Sequence, residues 1–276
     1  MSLKFSKMHG IGNDFVVVDC REGALALDTA AIRRLGDRHF GVGFDQLLTI
    51  EPGSTEDCAF HYGIWNSDGS RSGQCGNGVR CVAAWLARDG ALDKGLVRLM
   101  SPSGPVRVEV LADARVRVDM GEPRFAPASL PFDVAHESDQ YNLHVAGRAV
   151  VFGAVSMGNP HAVIAVDDVA STEVGLIGPQ VEGAEAFPRG CNVGFAQIQS
   201  RSAIGLRVWE RGVGETLGCG SGACAAVAVL HRWGKVDSEV DVSLPGGTLA
   251  IQWQGVGHSL WMTGPATFAF EGVWHE

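Results

Sequence analysis

Two cysteines, Cys75 and Cys219, each open a Cys-Gly-x-Gly run: Cys75-Gly76-Asn77-Gly78 and Cys219-Gly220-Ser221-Gly222. Each run leads into an Ala-rich apolar stretch, Gly76 to Arg88 and Gly220 to Trp233, which reads as a buried helix. The first N–H groups of a helix have no partner within it, and the dipole is positive there. Glycines let that backbone close on a bound anion, so a carboxylate or phosphate is the expected guest. A cysteine at the same place is expected to have a lowered pKa. One such thiol would suggest a nucleophile, whereas two suggest an acid–base pair. A thiolate on one face of a carbon can remove a proton while a thiol on the other face returns one, with inversion. That is racemisation or epimerisation of an α-amino acid, with the α-carboxylate held by the helix starts.

Other uses of the cysteines fit less well. Cys20, Cys58, Cys81, Cys191 and Cys224 read as small buried hydrophobes. A zinc site from Cys75, Cys81, Cys219 and Cys224 has the wrong spacing, because each helical pair points away from a common face. A Cys75–Cys219 disulfide is conceivable, as an oxidised inactive form rather than a staple of the fold. The glycine pairs, such as Gly41-x-Gly43, are too short for a dinucleotide fingerprint.

The elements that must position these residues are mostly strands. Period-2 patterns mark Phe60 to Trp65, Val106 to Val110, Arg115 to Asp119, Ala149 to Val155, Ala162 to Val166 and Ile204 to Trp209. Leu111 to Ala114 reads as a hairpin turn, and Thr29 to His39 as a helix capped by Asp28 or Thr29. Gly121 to Gln140, with Pro123, Pro127 and Pro131, is the linker candidate. An internal repeat ties these pieces together. Gly12-Asn13 and Gly158-Asn159 lie 146 residues apart, as do Gln46 and Asn192. Trp65-Asn66 and Trp209-Glu210 lie 144 apart, as do the two cysteine runs. The order and spacing predict two related domains, each with strands around one buried helix.

Composition excludes several function classes. The 276 residues leave room for two domains. With 22 Lys and Arg against 31 Asp and Glu, the formal charge is −9, which argues against a general nucleic-acid or anionic-membrane binder. Hydrophobic content of 46% argues against disorder. No apolar run approaches the roughly 20 residues of a membrane span. The first ten residues have no signal-like core, so free thiols in a reducing cytoplasm are expected.

Longer motifs carry a family resemblance. Phe5-Ser-Lys-Met-His-Gly-Ile-Gly-Asn-Asp-Phe15, Asn66-Ser-Asp-Gly-Ser70 and Gln74-Cys-Gly-Asn-Gly-Val-Arg80 fall in the first half. Ser156-Met-Gly-Asn-Pro-His161, Glu210-Arg-Gly-Val-Gly-Glu-Thr216 and Cys219-Gly-Ser-Gly222 fall in the second. From Phe5 to Gly272 the chain resembles the diaminopimelate epimerases, which interconvert LL- and meso-diaminopimelate without a cofactor. The cysteine runs alone would also suit proline racemase relatives.

The resemblance implies an α+β fold of two similar domains from an internal duplication, each a mixed β-barrel around a central helix. The halves would span residues 1–120 and 121–263, with a final strand at about 264–276 returning to the first. It further implies that Cys75 and Cys219 are the acid–base pair, tuned by His161 and Glu210. The backbone at Gly76, Asn77, Gly220 and Ser221 would hold the reacting carboxylate. Asn13, Gln46, Asn66, Asn159, Asn192, Glu210 and Arg211 would line the substrate pocket. Taken alone, Asn13 reads as a turn residue, Arg211 as a surface ion pair and His161 as a half-buried histidine. Trp65 and Trp209 read as core packing. No metal or cofactor is expected, and the partners implied are a small-molecule substrate and a second copy of the chain. Phe270 stands where the family usually has a dimer-contact Tyr, and Ser221 where it commonly has Thr.

Overall fold

The computed structural model describes residues 2–24, 27–55, 58–92, 95–145 and 147–275. The chain forms two compact units, one of residues 1–119 and 263–276 and the other of residues 120–262. Both are strand-rich with few helices, an α+β architecture.

The first unit opens with β1 (Ser2–Gly10), β2 (Asn13–Asp19) and α1 (Thr29–Gly36). β3 (Gln46–Thr55), β4 (Cys58–Asn66), α2 (Gly76–Arg88), β5 (Gly95–Ser101), β6 (Gly104–Val110) and β7 (Val116–Asp119) follow. α1 starts where expected, with the Asp28 side chain accepting from the Ala31 N–H at 2.8 Å. It ends at Gly36 rather than His39 because Asp37 Oδ1 takes the N–H groups of His39 and Phe40 in a turn. The β6–β7 hairpin turns at Leu111 to Ala114 as predicted, with Ala114 in the left-handed region at φ 67°.

The second unit contains β8 (Tyr141–Val145), β9 (Arg148–Ser156), β10 (Pro160–Ala165), α3 (Val174–Glu182), β11 (Asn192–Ser200) and β12 (Ala203–Glu210). It continues with β13 (Gly214–Thr216), α4 (Gly220–Arg232), β14 (Glu239–Leu244) and β15 (Gly247–Gln252), and β16 (Trp261–Gly264) leads out of it. The last strand, β17 (Thr267–His275), belongs to the first unit and pairs antiparallel with β1.

The ladders repeat. In the first unit β1·β2 is antiparallel, β2·β3 parallel, β3·β4 antiparallel, β4·β5 parallel and β5·β6 antiparallel. In the second, β9·β10, β10·β11, β11·β12, β12·β14 and β14·β15 run in the same alternation. Even the registers agree. Phe15 pairs with Gln46, and His161, 146 residues after Phe15, pairs with Asn192. Leu47 pairs with Trp65 and Val193 with Trp209. The drop in offset from 146 to 144 has a structural cause: the β3–β4 hairpin is one rung longer at its far end. Its last pair is Thr55 with Cys58, whereas the β11–β12 hairpin closes at Ser200 with Ala203.

The two helices after the cysteine runs are each 13 residues long, and each is followed by a glycine in the left-handed region, Gly90 (φ 75°) and Gly234 (φ 69°). α2 buries Val79, Val82, Ala83 and Leu86, and α4 buries every residue from Gly222 to Leu230. Each fully buried Leu or Val contributes about 1.5–3 kcal/mol, so these helices anchor their units.

Gly121 to Gln140 is not a free linker. Leu130 and Phe132 sit in the core of the second unit, where the Phe132 and Phe187 rings stack at 4.6 Å. Pro127 opens a short 3₁₀ turn, Pro127–Ser129, and the apolar side chains that follow it have burial to gain. α3 carried no readable signal, since Gly175, Gly178 and Pro179 argue against a helix there. Gly178 instead admits the Trp209 ring: a Cβ on it would lie 2.6 Å from Trp209 Cγ.

Candidate functional site

Cys75 is the N-cap of α2, in extended conformation (φ −145°), and its sulfur accepts the Gly78 N–H at 3.4 Å. The first amides of the helix lie beside it, as the glycine spacing predicts. Asn13, at the start of β2, directs Oδ1 to this point. That oxygen accepts from Asn77 Nδ2 at 3.2 Å and lies 3.8 Å from Cys75 Sγ. Gln46 donates from Nε2 to Asn66 Oδ1 at 3.0 Å across the β3–β4 ladder, and Asn66 donates in turn to Ser70 Oγ. Gln46 Oε1 is buried with no hydrogen-bond partner among the described residues. The first unit thus groups Asn13, Cys75, Gly76 and Asn77 at the helix start, with Gln46 and Asn66 as a pair on β3 and β4.

Cys219 is the matching N-cap of α4, but it is buried. Its sulfur lies 3.6 Å from Ser221 Oγ. A chain of contacts leads away from it: Asn159 Nδ2 lies 3.4 Å from Ser221 Oγ, and Asn159 Oδ1 lies 3.0 Å from His161 Nε2. Glu210, at the end of β12, accepts from Thr216 Oγ1 at 2.5 Å. Asn192 Oδ1 accepts the Arg211 N–H at 2.9 Å, and the Arg211 guanidinium donates to the Arg189 carbonyl at 3.2 Å. The second unit therefore joins Cys219, Gly220, Ser221, Asn159 and His161 in one cluster, with Glu210 acting on Cys219 through its charge and Asn192 tied to Arg211.

The electrostatics correct one expectation. Cys219 was expected to have a lowered pKa, but burial pushes it well above the ordinary thiol range, and the Glu210 carboxylate adds to the rise. The Ser221 hydroxyl and the Gly222 N–H pull the other way and do not win. A helix start is a modest effect, whereas full removal of a thiolate from water is a large one. His161 is likewise enclosed, and burial, with the Arg211 charge adding, holds its pKa at about 3. Its ring is therefore neutral at pH 7. With Asn159 Oδ1 as acceptor, the Nε2 proton is the one His161 carries.

The remaining cysteines, Cys20, Cys58, Cys81, Cys191 and Cys224, are all buried and none forms a disulfide. Burial pushes the Cys81 thiol up to about 12. Trp65 lies in the core of the first unit. Trp209 packs on that of the second and donates to Glu182 at 2.7 Å. Phe270 on β17 is 53% exposed and meets Phe5 edge-on at 6.0 Å.

Sequence reasoning passed over a group of charges behind Asn13. Asp45 Oδ2 accepts from Asn13 Nδ2 at 2.8 Å and from the Asp14 N–H at 3.1 Å. Arg38 bridges Asp45 Oδ1 and Asp14 Oδ1, each at 2.7 Å. Lys7 reaches Asp14 Oδ2 at 2.6 Å and also donates to the Gly43 carbonyl. These hydrogen bonds hold the Asp14 carboxyl at about 2 against the opposing effect of burial. The signal was Asp45 beside Gln46, directly after the Gly41-x-Gly43 turn.

Comparison with known proteins agrees with the motifs. The family model described as diaminopimelate epimerase matches residues 5–126 and 153–269. A diaminopimelate epimerase of Xanthomonas axonopodis pv. citri (strain 306) is 53% identical over 275 residues, covering 99% of this chain and 97% of that protein. One from Xanthomonas campestris pv. campestris is 52% identical over the same length and coverage. Among solved structures, a hydroxyproline epimerase from Agrobacterium vitis matches with a TM-score of 0.69 at 16% identity, covering 99% of this chain and 92% of that one. A phenazine biosynthesis protein of the PhzF family from Bacillus anthracis matches with a TM-score of 0.68 at 14% identity over both full chains. These two likenesses establish the shared fold of two α+β units. Motifs, family model and full-length relatives converge: the chain belongs to the diaminopimelate epimerase family.

Proposed function

We propose that this protein is an isomerase that interconverts LL- and meso-2,6-diaminopimelate with its own side chains, through Cys75 and Cys219. The observation that carries this reading is the duplicated placement of a cysteine at the N-cap of an apolar 13-residue helix. In each direction one sulfur, as thiolate, takes the α-proton, and the other, as thiol, gives a proton to the opposite face of the carbon. The two exchange roles when the reaction reverses. The α-proton of an amino acid resists removal, so fixed dipoles must stabilise the carbanion-like charge. The amides at the starts of α2 and α4, from Gly76, Asn77, Gly220 and Ser221, supply them to the α-carboxylate.

The remaining residues suit a substrate with charges at both ends. Arg211 has the planar fork that grips a distal carboxylate. The unpaired Gln46 Oε1 is an acceptor of the kind an ammonium fills. Asn13, Asn66, Asn159 and Asn192 offer donors and acceptors around it, and Glu210 raises Cys219, favouring the thiol that acts as acid. Cytoplasmic residence and homodimeric assembly belong to the same reading. The exposed Phe270 and Val273 on β17 supply apolar surface for a subunit contact, and cysteines held as thiols rather than disulfides suit a reducing compartment.

The test is α-proton exchange in D₂O under reducing conditions, with LL-diaminopimelate and no added cofactor. Deuterium at one α-carbon together with formation of the meso isomer is expected. No exchange from a folded, reduced sample would overturn the reading, and trans-4-hydroxy-L-proline would be the next substrate to try.

A further inference from the structure

A carboxamide can turn over, presenting either its oxygen or its NH₂ to the same neighbour. At Asn13 that choice decides what Cys75 meets. Oxygen facing the sulfur receives the thiol proton, whereas NH₂ would donate to a thiolate. The Asp45 carboxylate has no proton to give, so it can pair only with the NH₂ end of Asn13, which it does at 2.8 Å. Arg38 fixes Asp45 from the other side, and Asp45 and Asp14 are further joined by reciprocal backbone contacts. Turning Asn13 over would bring its oxygen against a carboxylate, so the amide is locked.

We infer that Asp45 is a positioning residue: by holding Asn13 Nδ2, it keeps Asn13 Oδ1 on Cys75 and so favours Cys75 as the thiol, the proton-donating form. This rests on the two-cysteine reading above and deepens it. Each cysteine would then have its own device for keeping a proton. Cys219 has burial and the Glu210 carboxylate, whereas the partly buried Cys75 has the carbonyl of an amide that cannot turn. The Gly78 N–H opposes this by donating to the sulfur, which leaves the thiolate within reach during turnover. Tyr62 on β4 and Cys81 on α2 also interact electrostatically with Cys75, but burial keeps both neutral near pH 7.

The test reads Cys75 itself. Iodoacetamide modification of Cys75 is followed by peptide mass spectrometry from pH 6 to 10, in the wild type and in Asp45→Asn, Asn13→Ala and the double variant. In Asp45→Asn the side chain at position 45 can also donate, so Asn13 is free to turn. Losing one hydrogen bond's preference should move the alkylation profile down by about one pH unit, about tenfold in thiolate at a fixed pH. Asn13→Ala should shift it in the same direction, and adding Asp45→Asn should then change nothing. Asp45→Ser, which keeps an acceptor for the Asp14 N–H, makes the same comparison should Asp45→Asn fail to fold. An unmoved profile, or an equal Asp45 effect with and without the Asn13 side chain, would overturn the inference, the second because charge alone then acts. Deuterium exchange by the wild type is scored separately. Its failure counts against the proposed reaction, whereas its success with an unmoved Cys75 profile counts against Asp45 alone.

Discussion

Acid should act on this protein through His161. The ring is 1% exposed, and its pKa lies at about 3, against the ordinary 6.5. Between those values the unfolded chain takes up a proton that the folded chain refuses. Stability is therefore complete above about pH 6.5 and falls as the pH is lowered toward the folded value. One proton contributes about 1.4 kcal/mol per pH unit. Carboxylates with lowered pKa values, such as Asp14 at about 2, also begin to weaken the fold from about pH 5 downward, in the wild type and in a His161 variant alike. From pH 6.5 to 4 the loss due to His161 thus has a ceiling of about 3 kcal/mol. His161→Gln removes the titration and keeps an N–H that can reach Asn159 Oδ1. Because two compact units need not unfold together, the readout is hydrogen exchange of the β10 and β11 amides, which reports on the second unit. The wild type should lose about 3 kcal/mol more protection than the variant across that range. Parallel curves would refute the neutral, enclosed ring.

Two further outcomes follow from the geometry. Cys75→Ala and Cys219→Ala should each abolish α-proton exchange while leaving circular dichroism unchanged, and near-normal turnover in either would remove that residue from the acid–base pair. In Gly222→Ala the new Cβ would lie 2.9 Å from Val208 Cγ2 and 3.2 Å from Cys219 Sγ. Overpacking of this kind costs about 1–3 kcal/mol. A folded protein with a lower melting temperature and turnover reduced at least about tenfold is expected, because the sulfur must move. Unchanged turnover would show that the position of Cys219 is not critical.

The parts of the fold that the sequence made legible have a strong local cause. The strand patterns, the Asp28 cap and the two helices after the glycine runs depend on neighbouring residues, and the structure places each within a few residues of its expected bounds. The repeat was legible too, because short motifs at fixed offsets survive where overall identity does not. Other features arise from distant contacts. Leu130 and Phe132 look like linker residues until Phe187 is brought beside them. α3 contains residues unsuited to a helix and forms because Gly178 admits Trp209. The pKa of Cys219 depends on burial, which a helix-start argument does not see. Asp45 looks like one more surface carboxylate until Asn13, 32 residues earlier, is found against it.

The extra rung of the β3–β4 hairpin has a practical meaning. Side chains alternate faces along a strand, so a length change of one residue on one strand would turn the rest of that strand inside out. A whole rung adds one residue to each strand, at the end away from Gln46 and Asn66, and leaves every other side chain on its face. The two halves thus differ in length at the ladder ends away from Gln46, Asn66, Asn192 and Glu210. The β11–β12 tip is a natural port for cargo: a peptide tag or reporter spliced between Ser200 and Ala203 would hang from the end of the ladder opposite Asn192 and Glu210.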